Sequence, residues 1–248
     1  MTHSPDPLIS CVGLRKAFGS KPVLRGLDLD LRRGETLVIL GGSGSGKSVL
    51  LKHMNGLMKP DQGEVFVAGL DITALTEVEL GPIRRKIGML FQMAALFDSM
   101  SILDNVAYPI REAEPLSEAK IREHVGHLLE VVDLRDTEAL MPAELSGGMR
   151  KRAGLARALA LEPEVMLYDE PTTGLDPVVA QKINVLIRYL QRRFGLSGVV
   201  VTHDLHCAFY VADRIAFLHE GKIAFAGTPE ETRRASHPML REFLDAAA

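Results

Sequence analysis

The chain has 248 residues and a mass of 27.1 kDa, which is enough for one large α/β domain with an attached lobe. Hydrophobic residues make up 46% of it and charged residues 25%, the balance of an ordinary globular protein. Its net charge of −3 argues against a protein that coats nucleic acid, because such domains are usually strongly basic.

The cysteines and the hydropathy of the sequence indicate the cellular compartment in which we expect the chain. Cys11 and Cys207 lack the spacing of metal ligands and suit a reducing environment. The N-terminal residues contain neither a basic region nor an apolar core, so we expect no signal peptide. No stretch approaches the ~18 consecutive apolar residues of a transmembrane helix, and we expect a soluble, cytoplasmic chain.

Hydrophobic patterns in the first third of the chain predict mostly strands. Residues 27–31 alternate apolar and polar side chains, as a half-buried strand does. Further strands are predicted at residues 64–67, after a Pro-Asp-Gln-Gly turn, and at residues 87–91. Between them, Thr76 and Glu79 form a capping-box pair, which predicts the start of a short helix.

A phosphate-binding loop is predicted between a strand at residues 36–40 and a helix at residues 48–55. Such a loop wraps its backbone N–H groups round phosphate oxygens, and the helix N-terminus adds partial positive charge. We expect Lys47 to bridge the terminal phosphates and Ser48 to offer its hydroxyl to Mg²⁺. The flanking strand and helix argue against the alternative, a mere glycine-rich turn. The predicted nucleoside triphosphate site consists of Gly41, Gly42, Ser43, Gly44, Ser45, Gly46, Lys47 and Ser48.

Helices and strands alternate in the second half of the chain. Residues 93–160 are predicted to be mostly helical, with residues 117–132 the clearest amphipathic stretch. Three elements follow: strands at residues 165–168 and 199–201, and a helix that begins at Pro177 and stops at Gly195. Strands separated by helices predict an α/β fold with a parallel sheet, an early antiparallel sheet and an inserted helical lobe.

Two carboxylates, Asp169 and Glu170, close the predicted strand at residues 165–168. An acid delivered to a phosphate loop can hold Mg²⁺ through Asp169, and Glu170 is then placed to polarise an attacking water as general base. An acidic pair of this kind is also common as a turn or helix cap. Its combination with the phosphate loop favours the functional interpretation.

The segment Ser146-Gly147-Gly148 predicts a helix start that Ser146 caps, and a capped helix N-terminus also binds anions. Together with the phosphate loop and the acidic strand, it resembles the ATP-binding-cassette (ABC) family almost end to end. The resemblance implies a P-loop NTPase of ABC type, with a RecA-like parallel-sheet core, an N-terminal antiparallel β subdomain and an inserted helical subdomain. It also implies ATP bound between two copies, with Ser146 to Gly148 of one facing the γ-phosphate of the other.

The same resemblance implies one ABC ATPase domain over residues 8–244. Its core and antiparallel sheet take up about residues 8–91 and 161–228, and its helical subdomain about residues 93–160.

Four further residues receive roles from this resemblance. Gln92 corresponds to a glutamine that touches Mg²⁺ and senses the transport subunit, and His203 to a histidine that contacts the γ-phosphate. Asp176 lies in the loop that links the two sites across the dimer, and Phe18 is the aromatic that stacks on adenine. The alternatives are a solvated strand end for Gln92, a buried structural histidine for His203 and a core residue for Phe18.

Met149 stands where most ABC ATPases have glutamine, so a polar role of that side chain is lost while the backbone donors remain. With residues 89–100, 104–109 and 140–149, it makes the chain resemble the ATPases of the Mla type, which act with MCE-domain proteins in lipid transport. The resemblance implies a second copy of the chain, a separate integral membrane permease, MCE-domain lipid carriers and a STAS-like regulatory subunit. It places the chain peripherally at the cytoplasmic face of the inner membrane.

Two segments have open interpretations. The apolar residues after Gln92 either pack in the core or form a groove for a short cytoplasmic helix of the membrane subunit: Met93, Ala94, Ala95, Leu96, Phe97 and Met100. The basic residues of the next segment are predicted to form a solvated helix face rather than a phosphate clamp: Arg150, Lys151, Arg152 and Arg157.

Two other functions compete with lipid transport. An amino-acid or small-solute ABC importer predicts glutamine at position 149. A soluble ABC ATPase that acts on nucleic acid or the ribosome usually has two cassettes or a long coiled-coil insertion, and a basic face. We therefore expect an ATPase coupled to transport, with ATP and Mg²⁺ as ligands and no nucleic-acid partner.

Overall fold

The computed structural model of the chain describes residues 7–113 and 115–246. Ten strands lie in this part of the chain: β1 (Ile9–Phe18), β2 (Lys21–Leu31), β3 (Thr36–Leu40), β4 (Gln62–Val67), β5 (Leu70–Asp71), β6 (Ile87–Leu90), β7 (Val165–Asp169), β8 (Ser197–Thr202), β9 (Arg214–His219) and β10 (Lys222–Gly227). It also contains nine α-helices: α1 (Lys47–Met54), α2 (Glu77–Arg85), α3 (Ile102–Ala113), α4 (Glu118–Val131), α5 (Gly147–Leu159), α6 (Pro177–Phe194), α7 (Leu205–Val211), α8 (Pro229–Arg234) and α9 (Pro238–Ala246).

The strands form two sheets. The larger has the order β10-β9-β3-β8-β7-β6, in which every neighbouring pair is parallel except β10 with β9. The smaller has the order β2-β1-β4-β5 and is antiparallel throughout. The helices α3, α4 and α5 are inserted between β6 and β7 and pack against one another. The predicted fold class is therefore confirmed.

The parallel strands are covered on both faces. Every residue of β3, β7 and β8 is buried, which explains their continuous apolar sequences. Alternate residues of β3 enter different cores: Val38 and Leu40 join the cluster beside the inserted helices, whereas Leu37 and Ile39 join the cluster beside the smaller sheet. No helix in the described ranges is long and apolar enough to cross a membrane.

Several local predictions are confirmed by the backbone. Thr76 and Glu79 form both hydrogen bonds of a capping box at α2. The predicted helix that begins at Pro177 and stops at Gly195 corresponds to α6, which Gly195 ends in the left-handed conformation. The hairpin of β9 and β10 was not predicted, although β9 lies beside β3 in the larger sheet.

Arg214, at the start of β9, joins the larger sheet to β2. Its Nε donates to Oε1 of Glu35 at 2.7 Å, and its Nη2 donates to the carbonyl oxygen of Asp30 at 2.5 Å and to Oδ2 of that residue at 3.1 Å. The side chain of Glu35 is only 9% exposed. A carboxylate buried to this extent keeps its desolvation cost when its cation is removed.

Replacing Arg214 with methionine should therefore lower the free energy of unfolding by about 3 kcal/mol. Urea denaturation of the purified chain measures this loss. Arg33→Met is the matched control, because the pair of Arg33 with Glu164 is largely exposed and should contribute less than about 1 kcal/mol. Equal losses in the two variants would contradict the role of Arg214.

Candidate functional site

The carboxyl ends of the parallel strands, together with the predicted phosphate loop, border a cavity of about 810 Å³. Ten predicted site residues line it: Phe18, Gly42, Ser43, Gly44, Gly46, Lys47, Ser48, Gln92, Glu170 and His203. A second cavity, of about 590 Å³, lies near the amino ends of β3 and β8 beside Gly34 and Ser197, and contains none of these residues. The structure thus gathers most of the predicted site in one place.

The phosphate loop connects β3 to α1 through Gly46, whose φ of 105° would strain any other residue. Because the N-cap residue is a glycine, no side chain takes up the first N–H groups of α1, which can bind an anion. The Lys47 Nζ donates to the carbonyl oxygens of Gly41 at 2.9 Å and of Gly42 at 3.0 Å. The loop therefore holds this ammonium group on its own backbone, beside the cavity.

Asp169 and Ser48 lie side by side at the edge of the site. The Ser48 hydroxyl donates to Oδ1 of Asp169 at 2.8 Å. Burial raises the pKa of Asp169; the hydrogen bond from Ser48 opposes this change, and the charge of Glu170 adds to it. A hydroxyl and a carboxylate are oxygen ligands of the kind that Mg²⁺ takes, so the residues present fit this cation.

The Glu170 carboxylate has polar partners on both oxygens. Its Oε2 accepts from Thr173 Oγ1 at 3.1 Å and from Thr202 Oγ1 at 3.2 Å. Its Oε1 lies 3.0 Å from His203 Nδ1 and 3.5 Å from Lys47 Nζ. Because a carboxylate only accepts, the contact with His203 requires the proton on Nδ1. The histidine and the loop ammonium therefore meet at one carboxylate.

The backbone of Glu170 is also unusual. Its φ of 48° lies in the left-handed region, which is uncommon for a residue with a side chain. Its N–H donates to the carbonyl oxygen of Val201 at 2.9 Å, next to the last register pair of β7 and β8. Strained conformations of this kind concentrate at functional sites, where surrounding contacts maintain them.

Gln92 follows the end of β6, and its side chain is exposed at the cavity. Phe18 ends β1 and is 49% exposed, so it is not the core residue of the alternative interpretation. The Lys16 Nζ lies 5.9 Å from the centre of the Phe18 ring. An accessible ring face at the rim of the cavity can stack on a planar group.

Seven of the predicted residues do not line this cavity: Gly41 and Ser45 in the loop, Ser146, Gly147 and Gly148 at the start of α5, Asp169 at the end of β7, and Asp176 before α6. Ser146 is exposed and caps α5 by accepting from the Met149 N–H at 3.3 Å. Asp176 caps α6 by accepting from the N–H groups of Val178 and Val179. A single copy of the chain therefore does not bring the start of α5 to its own cavity.

The prediction of a solvated basic face on α5 is wrong for Lys151, Arg152 and Arg157, which are buried or half-buried, whereas Arg150 is exposed. Lys151 is 5% exposed, and its Nζ donates to the carbonyl oxygens of Gln92 and Glu170. Burial lowers the pKa of Lys151, against the opposing charges of Asp169 and Glu170. The guanidinium groups of the other three residues also donate to backbone carbonyls: Arg150 to Leu145, Arg152 to Asp133 and Arg157 to Ala94.

The segment after Gln92 divides between core and surface. Ala94 is buried, whereas Met93 is 85% exposed and Phe97 is 42% exposed. The buried amide of Asn105 shapes the segment: it accepts from the N–H of Phe97 and donates to the carbonyl oxygens of Phe97, Met100 and Ser101. Core packing thus applies to Ala94, and Met93 and Phe97 remain accessible.

Sequence reasoning missed Thr173, Thr202, Asn105 and Lys151. Thr202 directly precedes the predicted histidine, and Thr173 follows Glu170 by three residues, a spacing at which a hydroxyl can reach back. The small residues Ala153 and Gly154 beside Lys151 are a signal of a closely packed helix, which argues against a solvated face.

The chain is similar to known ATP-binding proteins of transporters. A family model described as ABC transporter matches residues 24–173. The chain is 41% identical to a probable ribonucleotide transport ATP-binding protein, mkl, from Mycobacterium leprae, over 96% of this chain and 68% of that protein. It is also 41% identical to the intermembrane phospholipid transport system ATP-binding protein MlaF from Haemophilus influenzae, over 96% of this chain and 90% of that protein.

An importer protein matches to a similar degree. The methionine import ATP-binding protein MetN from Rhizobium etli is 40% identical over 90% of this chain, which spans 61% of that protein. Among solved structures, the dimeric ATP-binding cassette MJ0796 in a post-hydrolysis state with ADP and Pi has a TM-score of 0.83. It is 33% identical, over 89% of this chain and 98% of that one. The chain belongs to the ABC transporter family, in which it is an ATP-binding subunit that hydrolyses ATP.

Proposed function

We propose that this chain is the ATPase subunit of an Mla-type transporter and powers the transport of phospholipids or other lipids across a bacterial envelope. The observation that carries the proposal is the 41% identity to an intermembrane phospholipid transport ATP-binding protein, aligned over 90% of that relative. Met149, in place of the usual glutamine, agrees with this assignment.

ATP would lie with its phosphates on the phosphate loop and its adenine beside Phe18. Lys47 Nζ, already held between the loop carbonyls and Glu170, would neutralise charge on the terminal phosphates. Ser48 and Asp169, with Gln92, would hold Mg²⁺, which supplies charge stabilisation when bound.

Glu170 is the proposed general base for the attacking water. Its Oε1 and Oε2 are both oriented by hydrogen-bonding partners, so the carboxylate needs little reorganisation when it takes a proton. His203, in contact with Oε1 through Nδ1, would present its other ring nitrogen to the γ-phosphate. The chemistry consists of positioning and charge stabilisation.

A second copy of the chain is the proposed source of the missing contacts. Ser146, Gly147 and Gly148 lie outside the cavity of their own chain, and Ser146 is exposed at a helix N-terminus that can bind phosphate. In a dimer of two such chains, each α5 start would face the phosphate loop of the other. The loop that contains Asp176 would then link the two sites.

The remaining partners are proposed from the resemblance. An integral membrane permease would contact the exposed Met93 and Phe97 next to Gln92, because accessible apolar side chains suit the docking of a helix. MCE-domain carriers and a STAS-like regulatory subunit complete the proposed system. The chain would act peripherally at the cytoplasmic face of the inner membrane.

A second candidate is the ATPase of an amino-acid or other small-solute importer. The observation that favours it is the 40% identity to a methionine import ATP-binding protein. Met149 argues against it, because such importers are expected to have glutamine at this position.

Glu170→Gln should keep ATP binding and slow hydrolysis by at least about 100-fold, because it removes the proton acceptor. It should also trap the dimer closed on ATP. Steady-state phosphate release measures the rate, binding of a fluorescent ATP analogue measures the affinity, and size-exclusion chromatography with ATP measures the dimer. Glu123→Gln, on the exposed face of α4, is the control. Hydrolysis by Glu170→Gln at the wild-type rate would show that another group is the base.

Lys47→Ala should weaken ATP binding by at least about tenfold, since it removes a charge-assisted contact to phosphate. Titration with the same fluorescent analogue gives the dissociation constant. Lys182→Ala, an exposed position on α6, should bind normally. Normal affinity in the Lys47 variant would be incompatible with the proposed phosphate loop.

Affinity purification from the native host distinguishes the transport functions. The tagged chain is extracted in mild detergent, and co-purifying proteins and lipids are identified by mass spectrometry, with an untagged strain as control. We expect an integral permease, MCE-domain proteins and phospholipid. A periplasmic solute-binding protein with another permease would instead support the importer, and ribosomes or DNA would overturn a transport function.

A further inference from the structure

Lys151 is a buried ammonium group that joins two segments of the ATP site. It lies in the second turn of α5 and is 5% exposed. Its Nζ donates to the carbonyl oxygen of Gln92 at 2.5 Å and to that of Glu170 at 3.1 Å. These two residues follow the neighbouring strands β6 and β7, so one side chain connects the ends of both strands.

A charged group at this position is costly for the fold. Burial of an ammonium removes its hydration, and two carbonyl contacts restore only part of the loss. A methionine side chain would fill a similar volume without that cost, and buried ion pairs are often replaced in this way with little loss of stability. The ammonium of Lys151 is therefore better explained by its hydrogen bonds to two backbone carbonyl groups than by packing.

Lys151 holds the peptide group on the C-terminal side of Glu170, through the carbonyl oxygen of that residue. The N–H of Glu170 is bound to Val201 on one side, and its carbonyl oxygen is bound to Lys151 on the other. With a φ of 48°, Glu170 lies outside the favoured backbone regions and depends on such contacts for its orientation. Without the contact to Lys151, the backbone of Glu170 would keep only the hydrogen bond from its N–H to Val201 of these two.

The helix that presents Lys151 is tightly packed against the end of β6. At Gly154, one turn further along α5, an added Cβ would lie 3.0 Å from Leu90 Cδ1 and 3.1 Å from Ala94 Cβ. This close approach leaves little freedom for α5 to move independently of Gln92. Because α5 also begins at the exposed Ser146, one helix connects the segment proposed to face a second copy with the carbonyl of Glu170.

We propose that Lys151 is a positioning residue for ATP hydrolysis: it holds the backbone of Gln92 and Glu170 in place and couples both to the position of α5. The inference depends on the proposed role of Glu170 as general base. Lys151 acts through these residues, since its contacts are to their carbonyl oxygens and it does not line the nucleotide cavity.

The test compares Lys151→Met and Lys151→Gln with the wild-type full-length chain. Methionine removes all donors and should lower kcat about tenfold, while KM for ATP and the affinity for a fluorescent ATP analogue change less than twofold. Misplacement of a catalytic group by a fraction of an ångström has effects of this size. Glutamine keeps an amide donor and should give an intermediate kcat. Lys182→Met on the exposed face of α6 is the matched control and should match the wild type.

Single-turnover hydrolysis in a Glu170→Gln background separates positioning from a general structural role. If Lys151 acts through Glu170, adding Lys151→Met to Glu170→Gln should cause no further loss. A further tenfold loss, or a wild-type kcat in Lys151→Met, would overturn the inference. So would a fall in ATP affinity as large as the fall in kcat. If Lys151→Met does not fold, a kcat in Lys151→Gln equal to that of the wild type has the same consequence.

The two proposals fail in different ways. Glu170→Gln alone with wild-type hydrolysis would refute the general-base assignment, whatever Lys151 does. An inactive Glu170→Gln together with a fully active Lys151→Met would leave that assignment intact and refute only the role of Lys151.

Discussion

Glu170 is only 8% exposed, and an ionised carboxylate buried to this extent costs several kcal/mol unless polar partners surround it. Lys47, Thr173, Thr202 and His203 supply these partners from the phosphate loop, from the turn after β7 and from the end of β8. These three segments are far apart in sequence, and the fold alone brings them together. The charged carboxylate is therefore stable only when the loop and both strand ends are correctly assembled.

The parallel sheet explains why this assembly occurs at one edge. β3, β8 and β7 are adjacent and run in the same direction, so the residues after each strand meet at the same end of the sheet. The inserted helices leave from β6 and return to β7, its direct neighbour. Such an insertion leaves the register of the core unchanged and brings α5 back beside the strand ends, where Lys151 reaches two of them.

The sequence predicted local structure where the residues that determine it are consecutive. The phosphate loop, the acidic end of β7, the cap of α5 and the glycine end of α6 each depend on local backbone geometry, which short patterns predict. Lys151 was misassigned because lysine is nearly always exposed, and its carbonyl partners are remote in sequence. β9 was missed because its short apolar stretch has no local signal that distinguishes a strand from other buried segments.

In a dimer, the position of helix α5 would affect two nucleotide sites, which a single chain does not show. Its N-cap residue, Ser146, is exposed, whereas Lys151 in its second turn donates to the carbonyl oxygens of Gln92 and Glu170. In a dimer of the proposed kind, phosphate bound at the start of α5 would belong to the partner's nucleotide, while Lys151 would act on the nucleotide of its own chain. A shift of α5 would then alter both sites together, because its close contact with β6 at Gly154 prevents the two ends from adjusting separately.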